Sequence, residues 1–537
     1  MSRSEAFRGK TPFFADLHNH CNISYAHGSL EEALNNGRQR LDICSVTGHA
    51  HWPDMPARDG KIDHIIDFHE EGFRKLREGW KADVDLMRSF DRDTRFLVFP
   101  GFEIHSMEAG DYTIISKGFD MELLYPSSIE DFRHRLEEAP ALREQLIAFP
   151  HHIGYKNGRR GINWEQFDDE LFPLVEIYSM HGCAEEDEND HPFLHTMGPG
   201  SSYGTIRHGL GPAGKRFGIL GNTDHHSAHP GSYGHGISGV WADGLDHDSV
   251  WEALHSRRTY AMTADKMELE FSVNGAPMGA VTSGRDRRID FSLRAGGALD
   301  YLDIIRNGEL LSRFSQTDFS VARASAATAA SAAASAAAAR VSTPAGADDV
   351  GSGGEPLRTI IYVETGWGER GKAFDWDVQL GLERGRLLRV DARFRGDEVV
   401  SPLDATGEQT SFFRSSWEYI DERTVSFRSR TTGNPTNSTP ATQGLAMEVE
   451  VPTEADLHLS VNGKTYRVPI ERLMSESFID YTGGFDSPAF KLHRAPSERE
   501  YVWSGSIEDP FDAPAYYYLR GRQKNGARVW SSPVWVE

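Results

Sequence analysis

The sequence has very little cysteine, no long apolar run and a deficit of positive charge. Its 537 residues include only three cysteines, Cys21, Cys44 and Cys183, and they form no CxxC pair. A disulfide framework is therefore excluded, and a thiolate-bound structural zinc site is disfavoured. The sequence contains no apolar run of about 18 residues and no apolar signal segment at its start, so we expect no membrane span and a cytoplasmic location.

The net charge of −23 predicts an acidic surface. Such a surface argues against nucleic acid or an anionic membrane as the main partner. A small-molecule substrate remains possible, even an anionic one, because a bound cluster of divalent metal ions reverses the local sign of the charge. The chain is too long for one hydrophobic core, so we expect at least two domains, and nothing in its composition sets the oligomeric state.

Histidine, in contrast, is abundant and concentrated in the first half. All but two of the 23 histidines precede residue 256. Short apolar runs in this half repeatedly end at His, Glu or Asp, and helical patterns separate them. These ends are His18-Asn19-His20, Gly48-His49, Gly101-Phe102-Glu103, His151-His152, His181 and Asp224-His225-His226.

This alternation of apolar strand, polar tip and helix is typical of parallel strands joined by crossover helices. In a barrel of that kind the carboxyl ends of the strands face one mouth, where active sites collect. Residues i and i+2 of a strand project to the same face, so His18 and His20 can converge on one ion. Imidazole and carboxylate ligands suit Zn²⁺, Mn²⁺ or Fe. The six tips together predict a metal site.

Taken together, the tips resemble the motifs of the PHP (polymerase and histidinol phosphatase) superfamily of metal-dependent hydrolases. The resemblance spans residues 12–265 and depends on His18-x-His20, His49, Glu103, His151-His152 and the segment 221–226. It implies an α/β fold, with a distorted (β/α)7 TIM-like barrel over residues 1–265. It also implies two or three divalent metal ions and a hydrolase, with a phosphoesterase favoured, in which a metal-bridging hydroxide is the nucleophile.

The resemblance also implies a ligand set. One ion would be bound by His18, His20 and Asp224, and Glu103 would bridge two ions. The complete predicted metal set is His18, His20, His27, His49, Glu103, His151, His181, Asp224 and His226. Three of these, Glu103, Asp224 and His226, are predicted to be catalytic. His151 and His152 are alternatives for one position, and the family's preference for a histidine at the strand tip favours His151.

One position departs from the family pattern. The second motif of the family is commonly Thr-Asp-His, whereas this chain has Thr47-Gly48-His49. The missing carboxylate would orient a ligand or accept a proton, and His51 or Asp54 could substitute for it. The departure strengthens an alternative function, in which the same metal cluster hydrolyses or eliminates a non-phosphate substrate such as an amide, an ester or a sugar derivative.

A phosphate would also need cations beside the metal ions. Candidate cations are Lys156, Arg159 and Arg160 just after His151-His152, and Arg207 and His208 in a later loop. Lys156, Arg207 and His208 are the predicted substrate-binding residues, although solvated loop positions explain each candidate at least as well. Residues 182–215 form a predicted loop long enough to act as a lid over the mouth. His191, His195 and Tyr203 lie on that loop and are further candidates for substrate contacts.

From residue 266 to the end, period-two alternation and turn residues such as Asn274-Gly275 predict an antiparallel β-sandwich domain. Within it, residues 322–356 are rich first in Ala and Ser and then in Gly, Pro and Asp, which predicts a disordered insertion. The domain has no metal constellation, and it could bind carbohydrate, cover the barrel mouth or form an oligomer interface. A third hypothesis is a metal-retaining binding protein whose function lies in this domain.

Overall fold

The computed structural model describes residues 3–319, 340–342, 356–397 and 415–537. Within these ranges the chain is an α/β protein in which strands greatly outnumber helices and form six sheets. The insertion predicted for residues 322–356 lies almost entirely outside the described residues.

The helices lie mostly in the first half. They are Leu30–Gly37 (α1), Asp63–Phe90 (α2), Ile129–Glu138 (α3), Pro140–Gln145 (α4), Ile206–Leu210 (α5), His247–His255 (α6), Ile470–Ser475 (α7) and Glu498–Tyr501 (α8), with 3-10 turns at Glu5–Phe7 and Ser202–Gly204. At the start of α1, the Ser29 hydroxyl accepts from the Glu32 amide while the Glu32 carboxylate accepts from the Ser29 amide. This capping box fixes where the helix begins. Among the described helices, none has the length and apolarity that crossing a membrane requires.

Twelve strands precede residue 265 in the described part of the chain. They are Thr11–Asp16 (β1), Ile43–Cys44 (β2), Thr47–His51 (β3), Leu97–Val98 (β4), Gly101–Ile104 (β5), Tyr112–Ser116 (β6), Leu146–Pro150 (β7), Leu174–Ser179 (β8), Gly182–Cys183 (β9), Gly218–Gly221 (β10), Ile237–Ala242 (β11) and Thr259–Met262 (β12).

The pairing of these strands is only partly parallel. β1, β2 and β4 are parallel neighbours, as are β3 with β5 and β8 with β10. In contrast, β6 runs antiparallel between β5 and β7, and β11 runs antiparallel beside β1. Antiparallel neighbours need no crossover helix, so a repeat of strand and helix does not reveal them. No sheet formed by the described strands closes on itself, and the barrel expected from the sequence is not confirmed.

The second half consists mainly of strands. They are Glu268–Val273 (β13), Ala276–Pro277 (β14), Val281–Thr282 (β15), Arg287–Arg294 (β16), Leu299–Arg306 (β17), Glu309–Ser315 (β18), Arg340–Ser342 (β19), Leu357–Trp367 (β20), Phe374–Leu382 (β21), Arg386–Ala392 (β22), Ser416–Tyr419 (β23), Thr424–Thr431 (β24), Gln443–Val451 (β25), Asp456–Val461 (β26), Lys464–Pro469 (β27), Phe478–Tyr481 (β28), Pro488–Leu492 (β29), Val502–Asp509 (β30), Ala515–Gln523 (β31), Arg528–Ser531 (β32) and Val534–Val536 (β33).

Two five-stranded antiparallel sheets of this half share one hydrophobic core. Their strand orders are β22-β25-β20-β29-β28 and β23-β24-β21-β26-β27. Trp376 and Val378 from one sheet and Leu445 and Met447 from the other belong to that core. Alternate side chains of these strands point into the core between the two sheets, as in a sandwich. This packing explains the period-two alternation of the sequence.

The end of the chain returns to the first half. β32 pairs antiparallel with β12, and β31 pairs with β32, so strands from both ends of the sequence lie in one eleven-stranded sheet. The predicted domain boundary at residue 265 stays a prediction. This boundary lies directly after β12, the strand that pairs with β32.

A buried ion pair also links the two halves. The Arg40 guanidinium is 3.0 Å from the Asp391 carboxylate and donates to the carbonyl of Gly231, and both side chains are less than a tenth exposed. Burial raises the pKa of Asp391, but Arg40 and Arg393 lower it by more than burial raises it. The net pKa lies below the usual value, so the carboxyl stays ionised.

We expect Arg40→Met to lower the free energy of unfolding by about 3–5 kcal/mol, because it leaves a buried carboxylate without its main partner. The matched control is Arg8→Met, which breaks an ion pair with Glu5 in which both side chains are largely exposed. The control should cost less than about 1 kcal/mol. Urea denaturation of both variants measures the difference, and equal costs would contradict the role given to Arg40.

Candidate metal centre

Separate segments of the first half bring histidine and carboxylate side chains to one buried centre. His18 and His20 follow β1, and Asp224 follows β10. Glu103 lies within β5, and each of these four side chains is at most 2% exposed. Charged groups at such depth need a compensating partner.

Four donor atoms of this centre crowd around one point. His18 Nε2 is 3.1 Å from His20 Nε2 and 3.3 Å from Glu103 Oε2. His20 Nε2 is 3.0 Å from Asp224 Oδ1. With both rings neutral and their Nδ1 protons directed outward, these two Nε2 atoms are both acceptors and gain nothing from facing each other, whereas a divalent cation between them satisfies both.

Further groups of ligand atoms surround this point. The groups whose ligand atoms lie within 4.8 Å of one another are His18, His20 and Asp224; His20, His49 and His226; His49, Glu103 and His105; and Glu103, Asp111, His151 and His152. Because His20, His49 and Glu103 belong to more than one group, the groups form one continuous cluster. These buried side chains could hold metal ions, and their nitrogen and oxygen donors fit the ions expected from the sequence.

Four histidines of the cluster and the neighbouring His181 share one arrangement, in which Nδ1 is hydrogen-bonded outside the centre. The pairs are His18 with Glu176, His20 with the Thr47 carbonyl, His49 with the Ser24 hydroxyl, His151 with the Thr113 hydroxyl and His181 with the Tyr155 hydroxyl. Outer partners of this kind fix the ring orientation and the tautomer of metal-binding histidines. They leave Nε2 of each ring directed inward.

In His151 the inward-facing nitrogen has no hydrogen-bond partner. Its Nε2 is buried and makes no hydrogen bond, although it lies 3.2 Å from Glu103 Oε1. A buried nitrogen lone pair without a donor costs free energy, and a cation at this position would remove that cost.

Glu103 occupies the middle of the cluster. Its Oε2 lies 3.3 Å from His18 and 3.7 Å from His49, while its Oε1 faces His151 and lies 2.9 Å from His105 Nδ1. A carboxylate whose two oxygens face different sets of nitrogens has the geometry to bridge two ions.

The carboxyl groups of the cluster stay ionised despite their burial. Burial raises the pKa of Glu103, but the neighbouring His151, His49 and His105 lower it well below its usual range. The pKa of Asp224 is likewise well below its usual range, because His18 and His181 outweigh its burial. Ionised carboxylates are the form that binds a divalent cation.

The histidines show two opposite shifts. Burial lowers the pKa of His49 and His226 well below the usual value, which keeps these rings neutral and able to bind a metal ion. Burial also lowers the pKa of His18, but Asp224 and Glu176 raise it by more than burial lowers it. The net pKa of His18 is well above the usual value. The centre around His18 therefore carries an excess of negative charge that a cation would neutralise.

Gly48, the departure from the family motif, has a packing explanation. A Cβ at this position would lie 2.5 Å from Leu76 Cδ1 and 3.2 Å from Ile23 Cδ1. Helix α2, which carries Leu76, thus occupies the space that an Asp side chain would need. The Ser24 hydroxyl takes the orienting role at His49, so neither His51 nor Asp54 is needed there. His51 instead contacts the Pro126 carbonyl, and Asp54 accepts from the loop at Ser106.

A cavity of about 210 Å³ opens onto the cluster. Its lining includes Glu103, Asp224 and His226 from the cluster region, together with Tyr25, His69 and Arg160. The Arg160 side chain is 16% exposed, is paired with Asp111 and lies 4.0 Å from Glu103. Of the three candidate cations in this segment, Lys156, Arg159 and Arg160, only Arg160 lines the cavity.

The three predicted substrate-binding residues lie elsewhere. Lys156 is exposed, Arg207 pairs with Glu186 and donates to the Gly308 carbonyl, and the His208 ring packs on Tyr203 at 4.7 Å. None of them lines the cavity at the cluster. Their contact with substrate stays a prediction.

The remaining predicted ligands lie close to the cluster in different ways. His181 Nε2 is 3.0 Å from Asp224 Oδ2, and His27 donates its backbone amide to the carbonyl of His226. The His27 side chain is not part of the converging groups found among the described residues. His151 Nε2 faces Glu103, whereas His152 Nε2 is 3.3 Å from Asp111. The ligand roles of these residues stay predictions.

Sequence reasoning named Arg160 only as one of several candidate cations for a phosphate, and it gave no role to His105, Asp111 or Glu176. His105 Nε2 bonds to the Tyr25 hydroxyl at 2.6 Å, and its Nδ1 lies 2.9 Å from the Asp111 carboxylate. For Glu176 a signal existed, since it is the one charged residue in the buried run Leu174–Ser179. For Asp111 no local pattern exists, because its pairing with Arg160 joins a loop before β6 to a loop after β7.

Comparisons with known proteins give distant relatives. No model of a known protein family matches the chain. An uncharacterized protein of Chlamydia trachomatis is 26% identical over 332 residues, which cover 56% of this chain and 50% of that protein. An uncharacterized protein of Chlamydia muridarum is 27% identical over 260 residues, which cover 44% of this chain and 40% of that protein. The chain thus spans about half the length, or less, of the curated relatives that it matches.

One solved structure is similar at a low level. It is a two-domain protein from Bacteroides vulgatus containing a predicted PHP-like metal-dependent phosphoesterase. The match has 15% identity and a TM-score of 0.33, and it covers 56% of this chain and 80% of that one. A likeness at this score carries no argument about the present chain.

Two buried histidines outside the ligand groups predict acid sensitivity. His69 and His229 are each 8% exposed, and burial, assisted by His105 and His235 respectively, lowers the pKa of each to about 3. In an unfolded chain histidine titrates near about 6.5. As pH falls from about 6 to about 4 these two residues therefore bind up to two more protons in the unfolded state than in the folded one, and in metal-free protein they contribute a loss of up to roughly 2.7 kcal/mol of stability per pH unit.

Urea unfolding with a chelator present, at several pH values, measures this loss. The double variant His69→Gln with His229→Gln should show a flatter pH dependence. His64→Gln, at an exposed histidine of α2, is the control and should keep the original slope. An unchanged slope in the double variant would contradict the assignment.

Proposed function

We propose that the protein is a metal-dependent phosphoester hydrolase whose reaction centre is the cluster around Glu103. The observation that supports this most strongly is the crowding of His18, His20 and Asp224 around one point, with ionised carboxylates and inward-facing nitrogens. Divalent ions held there would supply a deprotonated water and neutralise charge on the transferred group. The sequence resemblance to PHP hydrolases agrees with this assignment, including the distorted barrel that it implies.

The side chains of the cavity divide the work. His18, His20 and Asp224 would hold one ion, and Glu103 would bridge this ion to a second one near His151. The Nδ1–H of His226 donates to the Asp224 backbone carbonyl at 2.9 Å, so that its ring is fixed against the cluster. These assignments keep Glu103, Asp224 and His226 as the candidates for catalytic roles, and Zn²⁺, Mn²⁺ and Fe as the candidate metals.

Arg160 is the candidate for anchoring the phosphoryl group. Guanidinium groups bind phosphate through paired N–H donors. Its pairing with Asp111, which is fully buried, holds the side chain at the cavity wall. A cation–π contact at 5.2 Å from the Trp52 ring supports the same position.

The alternative chemistry on a non-phosphate substrate has no observation in its favour. Its sequence argument was the missing carboxylate at Gly48, and the packing of Leu76 accounts for that residue. The phosphoester assignment is therefore the one that we carry forward, with a small anionic substrate.

Metal content and hydrolysis of p-nitrophenyl phosphate test the proposal together. Zn²⁺- or Mn²⁺-loaded protein should cleave this ester, and a chelator should abolish the activity. Asp224→Asn should lower bound metal and reduce kcat/KM by about 100-fold or more, because a ligand is lost. If the loaded protein holds metal but cleaves no phosphate ester, the phosphoesterase assignment is wrong.

Arg160→Lys tests the anchoring role separately. It keeps the charge opposite Asp111 but loses the guanidinium fork, so KM should rise about tenfold while metal content is unchanged. Arg159→Lys, at the neighbouring exposed arginine, is the matched control and should leave KM unchanged. Equal KM values for the two variants would contradict a role of Arg160 in binding substrate.

A further inference from the structure

One wall of the metal cavity belongs to a long loop without helix or strand. We define the capping loop as residues 184–201, between β9 and the turn Ser202–Gly204. Its residues His195, Thr196 and Met197 line the cavity beside Glu103 and Asp224. The shape of the space next to the cluster therefore depends on where this loop is held.

The first residues of the capping loop are anchored to the C-terminal strands. The Glu185 side chain is 1% exposed and accepts hydrogen bonds from Tyr518 at 3.0 Å, Arg520 at 3.0 Å and Trp530 at 2.8 Å. All three donors lie on β31 or β32. A buried carboxylate with three donors is fully compensated, and it loses much of that compensation if it moves.

A second anchor lies closer in sequence to the residues that line the cavity. Asp190 forms an ion pair with Arg528 on β32, with 2.6 Å between the charged atoms, and Arg522 on β31 lies 3.8 Å away. Asp190 precedes His195 by only five residues. Both anchors thus connect the capping loop to strands at the far end of the sequence.

On the cavity side the loop makes weaker contacts. The His195 ring lies 4.8 Å from the His181 ring, and Arg160 donates to the Met197 sulfur at 3.6 Å. A neutral ring contact and a sulfur acceptor hold less strongly than a charged carboxylate with several donors. Phe193, which is buried and packs on the Tyr155 ring at 4.8 Å, adds an apolar contact. The charged contacts that set the position of His195 and Met197 are those at the base of the loop.

We propose that Glu185 and Asp190 are positioning residues, through which the C-terminal strands fix the capping loop and so determine which substrates fit the metal cavity. In this assignment β31 and β32 complete the site without touching the metal ligands. The substrate part of the inference rests on the proposed hydrolase function, whereas the anchoring part does not.

Hydrogen exchange of the metal-loaded full chain tests the anchoring part. Amides of residues 186–201 should exchange about tenfold faster in Glu185→Gln and in Asp190→Asn, because each change weakens a charge-assisted contact at the base of the loop. The matched control is Asp300→Asn. Asp300 pairs with Arg522 of β31 and has an exposure similar to that of Asp190, but it does not lie on the loop. Unchanged exchange in Asp190→Asn, or an equal increase in Asp300→Asn, would overturn the proposal.

Kinetics with p-nitrophenyl phosphate test the substrate part. Both loop variants should raise KM severalfold while kcat and bound metal stay near wild type, since the metal ligands are untouched. Arg528→Lys, which keeps the charge opposite Asp190, should behave like wild type, and Arg528→Gln should behave like Asp190→Asn. A fall in kcat and metal content with unchanged KM would overturn the positioning role.

Failure of the proposed function and misfolding of a variant give different results in these experiments. If wild-type protein binds metal but cleaves nothing, the proposed function fails, and hydrogen exchange alone then decides the anchoring. If Glu185→Gln does not fold because its buried network is broken, the more exposed Asp190→Asn variant decides the proposal.

Discussion

The structure of the first half depends on two buried carboxylates, Glu103 and Asp224, held among imidazole rings. Such groups are stable at this depth only when positive charge or hydrogen-bond donors surround them. Their neighbours are placed accordingly, with His18 and His20 on one side and His151 and His181 on the others. The same arrangement that makes burial of these carboxylates tolerable also brings together side chains that could hold metal ions.

The outer hydrogen bonds extend this constraint into the fold. Ser24, Thr113, Tyr155 and Glu176 lie on four different segments, and each orients one ring of the cluster. A shift of any one strand would turn a nitrogen away from the centre. The capping loop adds a constraint from outside, because its base is tied to β31 and β32 while its tip lines the cavity. The second half is in this view part of the site's support.

The parts that could be predicted from the sequence are those with a local pattern. His18 and His20 alternate within one short segment, and Asp224 follows an apolar strand, so their chemistry and approximate placement were visible. The capping box at Ser29 and the period-two strands of the second half also have local causes. The closed barrel is not confirmed. β6 pairs antiparallel with β5, and β11 pairs antiparallel with β1, and a strand-and-helix repeat encodes neither pairing.

The residues that could not be predicted meet only in three dimensions. Asp111 contacts Arg160 across 49 positions, and Glu185 meets Trp530 across 345. Asp111 and Glu185 each look like an ordinary charged residue in their own segments. The most direct test of the account is a crystal structure of the zinc-loaded chain with anomalous scattering at the zinc edge. The account predicts a peak bonded to His18 Nε2, His20 Nε2 and Asp224, with a second peak across Glu103. Well-ordered crystals with no anomalous peak at these residues would contradict it.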